Sequence, residues 1–178
     1  MPALELSIEK RLHILLAEDD QDLREILIED LCAYKFKVTP AINGAQAIEL
    51  LKSPELCDFD VILSDIQMPG ADGFALMQHI KEFRIQTPLV FLSSFADQDV
   101  VLKAIRGGVY EILEKPYDLL RLVNVISRAA IFGRVQRNHL ELLKIVSSMN
   151  FQSSLSETMI AKVARIEKEI LEFQKFPH

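Results

Sequence analysis

Cysteine is scarce in this 178-residue chain, and long apolar runs are absent. Only Cys32 and Cys57 occur, without a CxxC pair, so the sequence excludes a disulfide scaffold and predicts reduced thiols. No stretch of about 18 apolar residues could cross a membrane, and the charged amino terminus has no apolar segment typical of a signal peptide. The net charge of −6 disfavours nonspecific binding to nucleic acid. These absences favour a cytoplasmic protein without membrane or nucleic-acid contacts.

What the chain does have is a regular alternation of strand and helix patterns. Short apolar runs predict five strands, and amphipathic stretches between them predict helices. The strand runs, in chain order, are HILLA, FKVTP, VILSD, PLVFLSS and YEIL. Five consecutive βα units predict an α/β domain whose parallel sheet is covered by helices on both faces.

Polar side chains stand where four of these strands end. Glu18 and Asp19 follow the first strand, Asp65 ends the third, Ser93 ends the fourth and Lys115 follows the fifth. Because the carboxyl ends of parallel strands meet at one edge, where open α/β sheets bind ligands, we expect these side chains to converge.

Three converging carboxylates need positive charge nearby. Two of them about 4 Å apart repel by roughly 4 kcal/mol at an effective dielectric of 20. Lys115 supplies one positive charge, and Mg²⁺, which prefers oxygen ligands, would supply more. A carboxylate beside Mg²⁺, a lysine and a hydroxyl can attack a phosphoryl group, so the set predicts an aspartyl phosphate.

Residues 12–130 resemble the receiver domain of two-component response regulators. The resemblance is carried by ILLAEDDQDLRE, VILSDIQMPGADGF, PLVFLSS and EKPYD, in this order and with matching spacing. It implies a flavodoxin-like fold with strand order 2-1-3-4-5. It also implies a signalling domain, not an enzyme, which takes a phosphoryl group from a sensor histidine kinase or a phosphotransfer protein.

The resemblance implies a role for each residue of the set. Asp65 is the phosphoacceptor, Ser93 the switch hydroxyl and Lys115 the partner of the phosphate, and the bond from Lys115 to Pro116 is cis in the family.

The resemblance also implies the Mg²⁺ ligands. Asp19 binds the ion directly and Glu18 mainly through water. Asp65 and the backbone carbonyl of Gln67 complete the protein ligands.

One position departs from the family pattern. The residue three places before the lysine is usually Tyr or Phe, which swings inward on activation, but here it is Ile112. Tyr110 lies two residues earlier, and the alternation of a strand predicts that both side chains point to the same face. Ile112 cannot repeat an aromatic rotamer switch, so the usual coupling is in doubt while the phosphorylation chemistry is not.

Residues 131–178 carry no recognised motif and predict a helical extension of two helices. Two heptad-like series of apolar residues occur, one at Phe132, Val135, Leu142, Val146 and Met149, the other at Met159, Val163, Ile166, Ile170 and Phe173. Ser154 and Glu157 fit a capping box before the second series. Amphipathic helices must bury their apolar faces, and we expect a homodimer interface, with docking on the receiver or on another protein as the alternative.

Three other functions remain open. A pseudo-receiver scaffold would bind partners without phosphorylation, although the intact acids, Ser93 and Lys115 argue against it. His139 could carry a phosphoryl group, as histidines on helical hairpins do in phosphotransfer proteins, but Leu140 replaces the usual acidic neighbour. A phosphatase of the haloacid dehalogenase type would normally show a second aspartate where Gln67 stands.

Overall fold

The computed structural model describes residues 11–53, 58–94, 97–148 and 165. Strands and helices alternate along the chain as the sequence predicts. The strands are β1 (His13–Ala17), β2 (Lys37–Ala41), β3 (Val61–Asp65), β4 (Leu89–Ser93) and β5 (Glu111–Glu114). The helices are α1 (Gln21–Ala33), α2 (Gly44–Lys52), α3 (Gly73–Glu82), α4 (Gln98–Gly107) and α5 (Leu119–Ser148).

The five strands form one parallel sheet with the order β2-β1-β3-β4-β5. This confirms the predicted flavodoxin-like topology, in which the chain reverses its direction of winding between β1 and β3. The carboxyl ends of β1 and β3 therefore lie side by side at the sheet centre, and Ala17 is paired with Ser64. That reversal point is where α/β sheets of this type bind ligands.

Each face of the sheet buries its own apolar layer. Alternate side chains of β1 enter different layers, with Ile14 and Leu16 facing α1 and α5, while Leu15 faces α2 and α3. This explains why β1, β3 and β4 are buried at every position. Burying each such Val, Leu or Ile side chain stabilises the fold by roughly 1.5–3 kcal/mol.

Polar caps begin four of the five described helices, α1, α2, α3 and α5, on the edge of the sheet that carries the acidic residues. The carboxylates of Asp20, Asp72 and Asp118 accept hydrogen bonds from backbone N–H groups in the first turns of α1, α3 and α5. Asn43 does the same for α2. Each cap satisfies a backbone donor that the helix itself leaves unpaired, and so fixes the loop that leads into the helix.

Helix α5 is longer than the sequence suggests. The predicted boundary between receiver and extension, at residues 130 and 131, falls inside this single 30-residue helix. The first predicted helix of the extension is therefore the continuation of α5, while the second apolar series and its capping box lie outside the described residues. Within the described part of the chain, no helix is long and apolar enough to cross a membrane.

Tyr110 and Ile112 do not share a face of the sheet, so that prediction was wrong. Tyr110 packs against the layer under α5, whereas Ile112 packs against the layer under α3 and α4. The physical reason is that β5 begins only at Glu111, so Tyr110 lies in the preceding bend, where strict strand alternation does not apply.

Candidate functional site

The residues predicted from the strand ends meet at one edge of the sheet. Glu18 and Asp19 directly follow β1, Asp65 is the last residue of β3, and Ser93 is the last residue of β4. Lys115 directly follows β5. Three of them are almost fully buried, with exposed fractions of 1% for Glu18, 7% for Asp65 and 4% for Ser93.

Lys115 joins the acids of two different strands. Its Nζ donates a hydrogen bond to Glu18 Oε2 at 2.8 Å and a second, short one to Asp65 Oδ2. Only 13% of its side chain is exposed, so the three charges meet with little water between them. In such surroundings the cost of removing the charges from water offsets much of their attraction, but removing one partner would leave a buried charge uncompensated.

The site shifts the pKa values of Glu18 and Lys115. Burial raises the pKa of the Glu18 carboxyl, and the Lys115 ammonium offsets part of that rise. For Lys115, burial is the largest effect and would lower the pKa, but the hydrogen bonds and charges of Asp65 and Glu18 together outweigh it and raise the pKa. Lys115 therefore remains a cation at neutral pH.

The acidic residues are arranged as a hard cation requires. Carboxylate oxygens of Glu18, Asp19 and Asp65 lie within 4.8 Å of one another, and Asp19 is exposed on the open side of the cluster. Gln67 lies on the loop after β3, where its backbone N–H donates to Asp65 Oδ1 at 2.9 Å. Oxygen ligands suit Mg²⁺, which typically binds one or two carboxylates directly and keeps several waters.

A side chain of α1 holds the backbone of Glu18 and Asp19 in place. The guanidinium of Arg24 donates to the carbonyl of Glu18 at 2.8 Å and to that of Asp19 at 3.2 Å. Sequence reasoning missed Arg24, because a long polar side chain on α1 gives no signal of where it reaches. On the other side, Gly73 packs so closely under β3 that an added Cβ would lie 2.5 Å from the Asp65 carbonyl oxygen.

The fifth strand completes the site. The backbone N–H of Lys115 donates to the Ser93 carbonyl at 2.7 Å, so the two residues are held side by side across β4 and β5. The peptide bond between Lys115 and Pro116 is cis, as the resemblance implies. Fold and site together define a doubly wound α/β domain with a charged site at the carboxyl edge of its sheet.

A comparison with protein families identifies the class. Residues 14–127 match the response regulator receiver domain, and the chain belongs to this family. Receiver domains are signalling modules that act with histidine kinases and bind Mg²⁺ through acidic residues.

Curated relatives match the same region. The chain is 34% identical over 116 residues to the DNA-binding transcriptional regulator NtrC of Escherichia coli (strain K12), a match that covers 65% of this chain and 24% of the relative. It is 32% identical over 115 residues to the response regulator protein PilR of Pseudomonas aeruginosa, covering 65% of this chain and 25% of that protein. The chain thus spans about a quarter of the length of these relatives.

Solved structures agree. The signal receiver domain of an HD domain-containing protein from Pseudomonas fluorescens Pf-5 is 26% identical, with a TM-score of 0.65, over 70% of this chain and 98% of that one. The non-phosphorylated HemR receiver domain of Leptospira biflexa is 31% identical, with a TM-score of 0.60, over 67% and 94%. None of these matches assigns a role to α5 beyond the receiver.

Proposed function

We propose that this chain accepts a phosphoryl group on Asp65 from a sensor histidine kinase or a phosphotransfer protein, in the cytoplasm. The observation that carries the proposal is a buried strand-end carboxylate held between a cationic lysine and two further acids. An Asp65 oxygen attacks phosphorus as the bond from phosphorus to the donor's imidazole nitrogen breaks. The electron pair of that bond stays on the nitrogen, and a proton from solvent makes the leaving group neutral imidazole. The chain's contribution is positioning and charge neutralisation.

The other residues act on the phosphoryl group by charge and hydrogen bonding. Glu18, Asp19, Asp65 and the Gln67 carbonyl are the proposed Mg²⁺ ligands. When bound, Mg²⁺ would offset the repulsion between the carboxylates and the incoming phosphoryl oxygens. Lys115 would exchange its carboxylate partner for a phosphoryl oxygen, since its raised pKa keeps it charged.

Ser93 is the proposed switch hydroxyl, which would hydrogen-bond a phosphoryl oxygen from the neighbouring strand end. Its position is consistent with this role, because Ser93 and Lys115 are joined through the backbone. The phosphoryl group would therefore interact with residues at the ends of both β4 and β5.

Labelling with a small phosphodonor tests the phosphoacceptor. With acetyl phosphate and Mg²⁺, intact-mass spectrometry should find one added phosphoryl group in the natural chain and none in Asp65→Asn. Asp60→Asn is the matched control, because Asp60 is a buried aspartate just before the other end of β3 and should leave labelling intact. Undiminished labelling of Asp65→Asn would refute the assignment.

We further propose that output runs through the C-terminal helices, which form a homodimer interface. The described part of α5 leaves Leu143 half exposed, with 51% of its surface open, as expected for a helix that lacks its partner. Sedimentation velocity on the full chain and on a chain ending after Ala130 should find a dimer and a monomer, respectively. A monomeric full chain at tens of micromolar would instead leave docking on the receiver or on another protein.

Two alternative functions are weaker on these observations. His139 is exposed on α5, past the edge of the sheet that lies opposite Asp65, so a phosphotransfer role for it would be separate from the acidic site. The second alternative is DNA binding, which the name of NtrC describes for that protein, and this chain matches 24% of its length. The extension carries seven basic and five acidic residues, and this slight positive charge supports a protein partner over nucleic acid.

A further inference from the structure

Helix α5 is held to the sheet in two different ways along its length. Its first half is an apolar anchor, in which Leu122, Ile126 and Ala130 are completely buried. Beyond Ala130 the helix still contacts the receiver, and there hydrogen-bonded ion pairs to a buried carboxylate accompany the apolar contacts. This part of the helix is therefore attached by an interaction that the first part lacks.

The main polar contact is a buried carboxylate at the start of β3. Asp60 is 2% exposed, and its Oδ2 accepts the backbone N–H of His13 at 2.9 Å. Arg134 donates from Nε to Asp60 Oδ1 at 2.9 Å and from Nη2 to Oδ2 at 3.3 Å. Arg137, one turn later, donates to Oδ1 at 3.3 Å. We call Asp60, Arg134 and Arg137 the Asp60 latch.

Two close contacts flank the latch. Gly133 lies against Pro88, and an added Cβ there would be 2.5 Å from the proline Cδ. Phe132 stacks obliquely on Tyr110, with 5.4 Å between ring centres. The helix thus approaches the amino ends of β3, β4 and β5 within two turns.

The arginines of the latch are partly exposed to solvent, unlike the side chains of the apolar anchor. The side chains of Arg134 and Arg137 are 33% and 31% exposed, so water can reach the guanidinium groups if the contact opens. A cavity of about 390 Å³ lies beside the helix and is lined in part by Phe132 and Gln136. Segments with few buried apolar contacts open at a lower free energy than the core does.

The latch and the acidic site lie at opposite ends of the same two strands, β3 and β5. Asp60 immediately precedes β3 and Asp65 ends it, while Tyr110 precedes β5 and Lys115 follows it. A phosphoryl group on Asp65 would add negative charge and hydrogen-bond acceptors beside Lys115. Lys115 would move toward the phosphoryl group, and strand β5, which is only four residues long, would carry that movement to its other end. There Tyr110 contacts Phe132 of α5.

We propose that the Asp60 latch is the docking contact through which the receiver holds the helical extension, and that phosphorylation of Asp65 loosens it. This inference rests on the proposed function for its second part only. The latch fixes the direction in which residues 138–148 leave the receiver, so its opening would change how the extension meets a partner.

Amide hydrogen exchange on the full chain tests the docking contact. In Asp60→Asn, amides of residues 131–144 should exchange at least about ten-fold faster, while those of residues 119–130 keep their rates. Asp99→Asn, which removes an exposed aspartate of α4, is the control and should change neither segment. Unchanged exchange over 131–144 would overturn the latch, and so would equal acceleration of both segments, because Asp60 would then support the whole domain.

A second variant guards against a folding defect in Asp60→Asn. Arg134→Gln leaves Arg137 to pair with the carboxylate, so the domain should remain folded while exchange over 131–144 rises by a smaller factor. Exchange at the natural rate in this variant would show that Arg134 does not hold the extension.

Phosphorylation tests the second part of the proposal. After acetyl phosphate and Mg²⁺, exchange over 131–144 should rise in the natural chain and show no further rise in Asp60→Asn. A labelled natural chain with unchanged exchange would overturn the state dependence alone. A chain that takes no label would refute the phosphoacceptor and with it the state dependence, whereas the comparison of unphosphorylated variants would still decide the docking contact.

Discussion

Cutting the chain after Ala130 should destabilise the receiver, although the five βα units remain complete. The cut removes both arginine partners of Asp60 and leaves its carboxylate with the His13 backbone N–H. A chain cut after Ser148 retains all of α5 and is the matched comparison. From sequence alone the shorter chain is expected to fold on its own, and the latch predicts that it folds with reduced stability.

The size of the effect follows from the burial of the latch. Removing one partner of a fully buried ion pair costs roughly 3–5 kcal/mol. Because each arginine is about one-third exposed, we expect about 2–3 kcal/mol here, at or just below the low end of that range. This is a large part of the roughly 5–15 kcal/mol by which a typical domain is stable.

The response to Asp60→Asn should have opposite signs in the two chains. With both arginines present, the substitution removes charged hydrogen bonds and should lower the free energy of unfolding by about 1–2 kcal/mol. In the chain cut after Ala130 it removes an unpaired buried charge, while the asparagine oxygen can still accept from His13, so stability should rise.

The four proteins are the chains cut after Ala130 and after Ser148, each with and without Asp60→Asn. Urea unfolding followed by circular dichroism measures their free energies of unfolding and the coupling between the two changes. The same loss on Asp60→Asn in both chains would refute the reasoning, because the carboxylate would then be stabilised by something other than the arginines. Equal stability of the chains cut after Ala130 and Ser148 would refute it independently.

Two further predictions concern pH and the glycines that follow β3 beside the acidic site. Burial and the neighbouring Lys37 lower the pKa of His13 below 6.5, so the unfolded chain binds the proton more readily than the folded chain does. The free energy of unfolding should therefore fall as pH drops from 7.5 to 5.5, by at most about 1.4 kcal/mol per pH unit. His13→Gln should flatten that part of the plot of urea midpoint against pH, and an unaltered plot would contradict the prediction. Gly73→Ala places a Cβ 2.5 Å from the Asp65 carbonyl and should cost roughly 1–3 kcal/mol and slow labelling by acetyl phosphate. Gly70→Ala, with open space but a φ of 78°, should cost about 1–2 kcal/mol and leave labelling unchanged; equal labelling rates in both glycine variants would count against the close packing.

The parts of the fold that the sequence predicts are those with a local signal. Five apolar runs with helical patterns between them leave few topologies once crossovers are right-handed, and the observed strand order is the one that the family resemblance implies. The site was predictable for the same reason, since polar residues at strand ends such as Asp65 and Lys115 must share one edge. Their ion pair follows directly from that placement.

The parts that sequence reasoning missed depend on contacts between distant residues. Asp60 and Arg134 are 74 positions apart, and neither stands out, because an aspartate before a strand and an arginine on a helix are ordinary. Gly133 lies within α5, where the absence of a side chain allows close contact with Pro88, and no local pattern indicates that contact. Helix α5 runs through the predicted boundary without interruption, and these contacts join its continuation to the receiver.

The isoleucine at the usual aromatic position changes how a signal can leave this domain. Ile112 packs in the layer under α3 and α4, on the opposite side of the sheet from α5, and it has no ring that could swing between two positions. The aromatic contact that does involve α5 is made by Tyr110, at the other end of the sheet. A receiver that lacks the usual rotamer switch can therefore still act on its extension, provided that movement of β5 reaches the stacked pair of Tyr110 and Phe132. On the proposed function, the structural change is expected at the edge of the sheet opposite Asp65, next to the Asp60 latch.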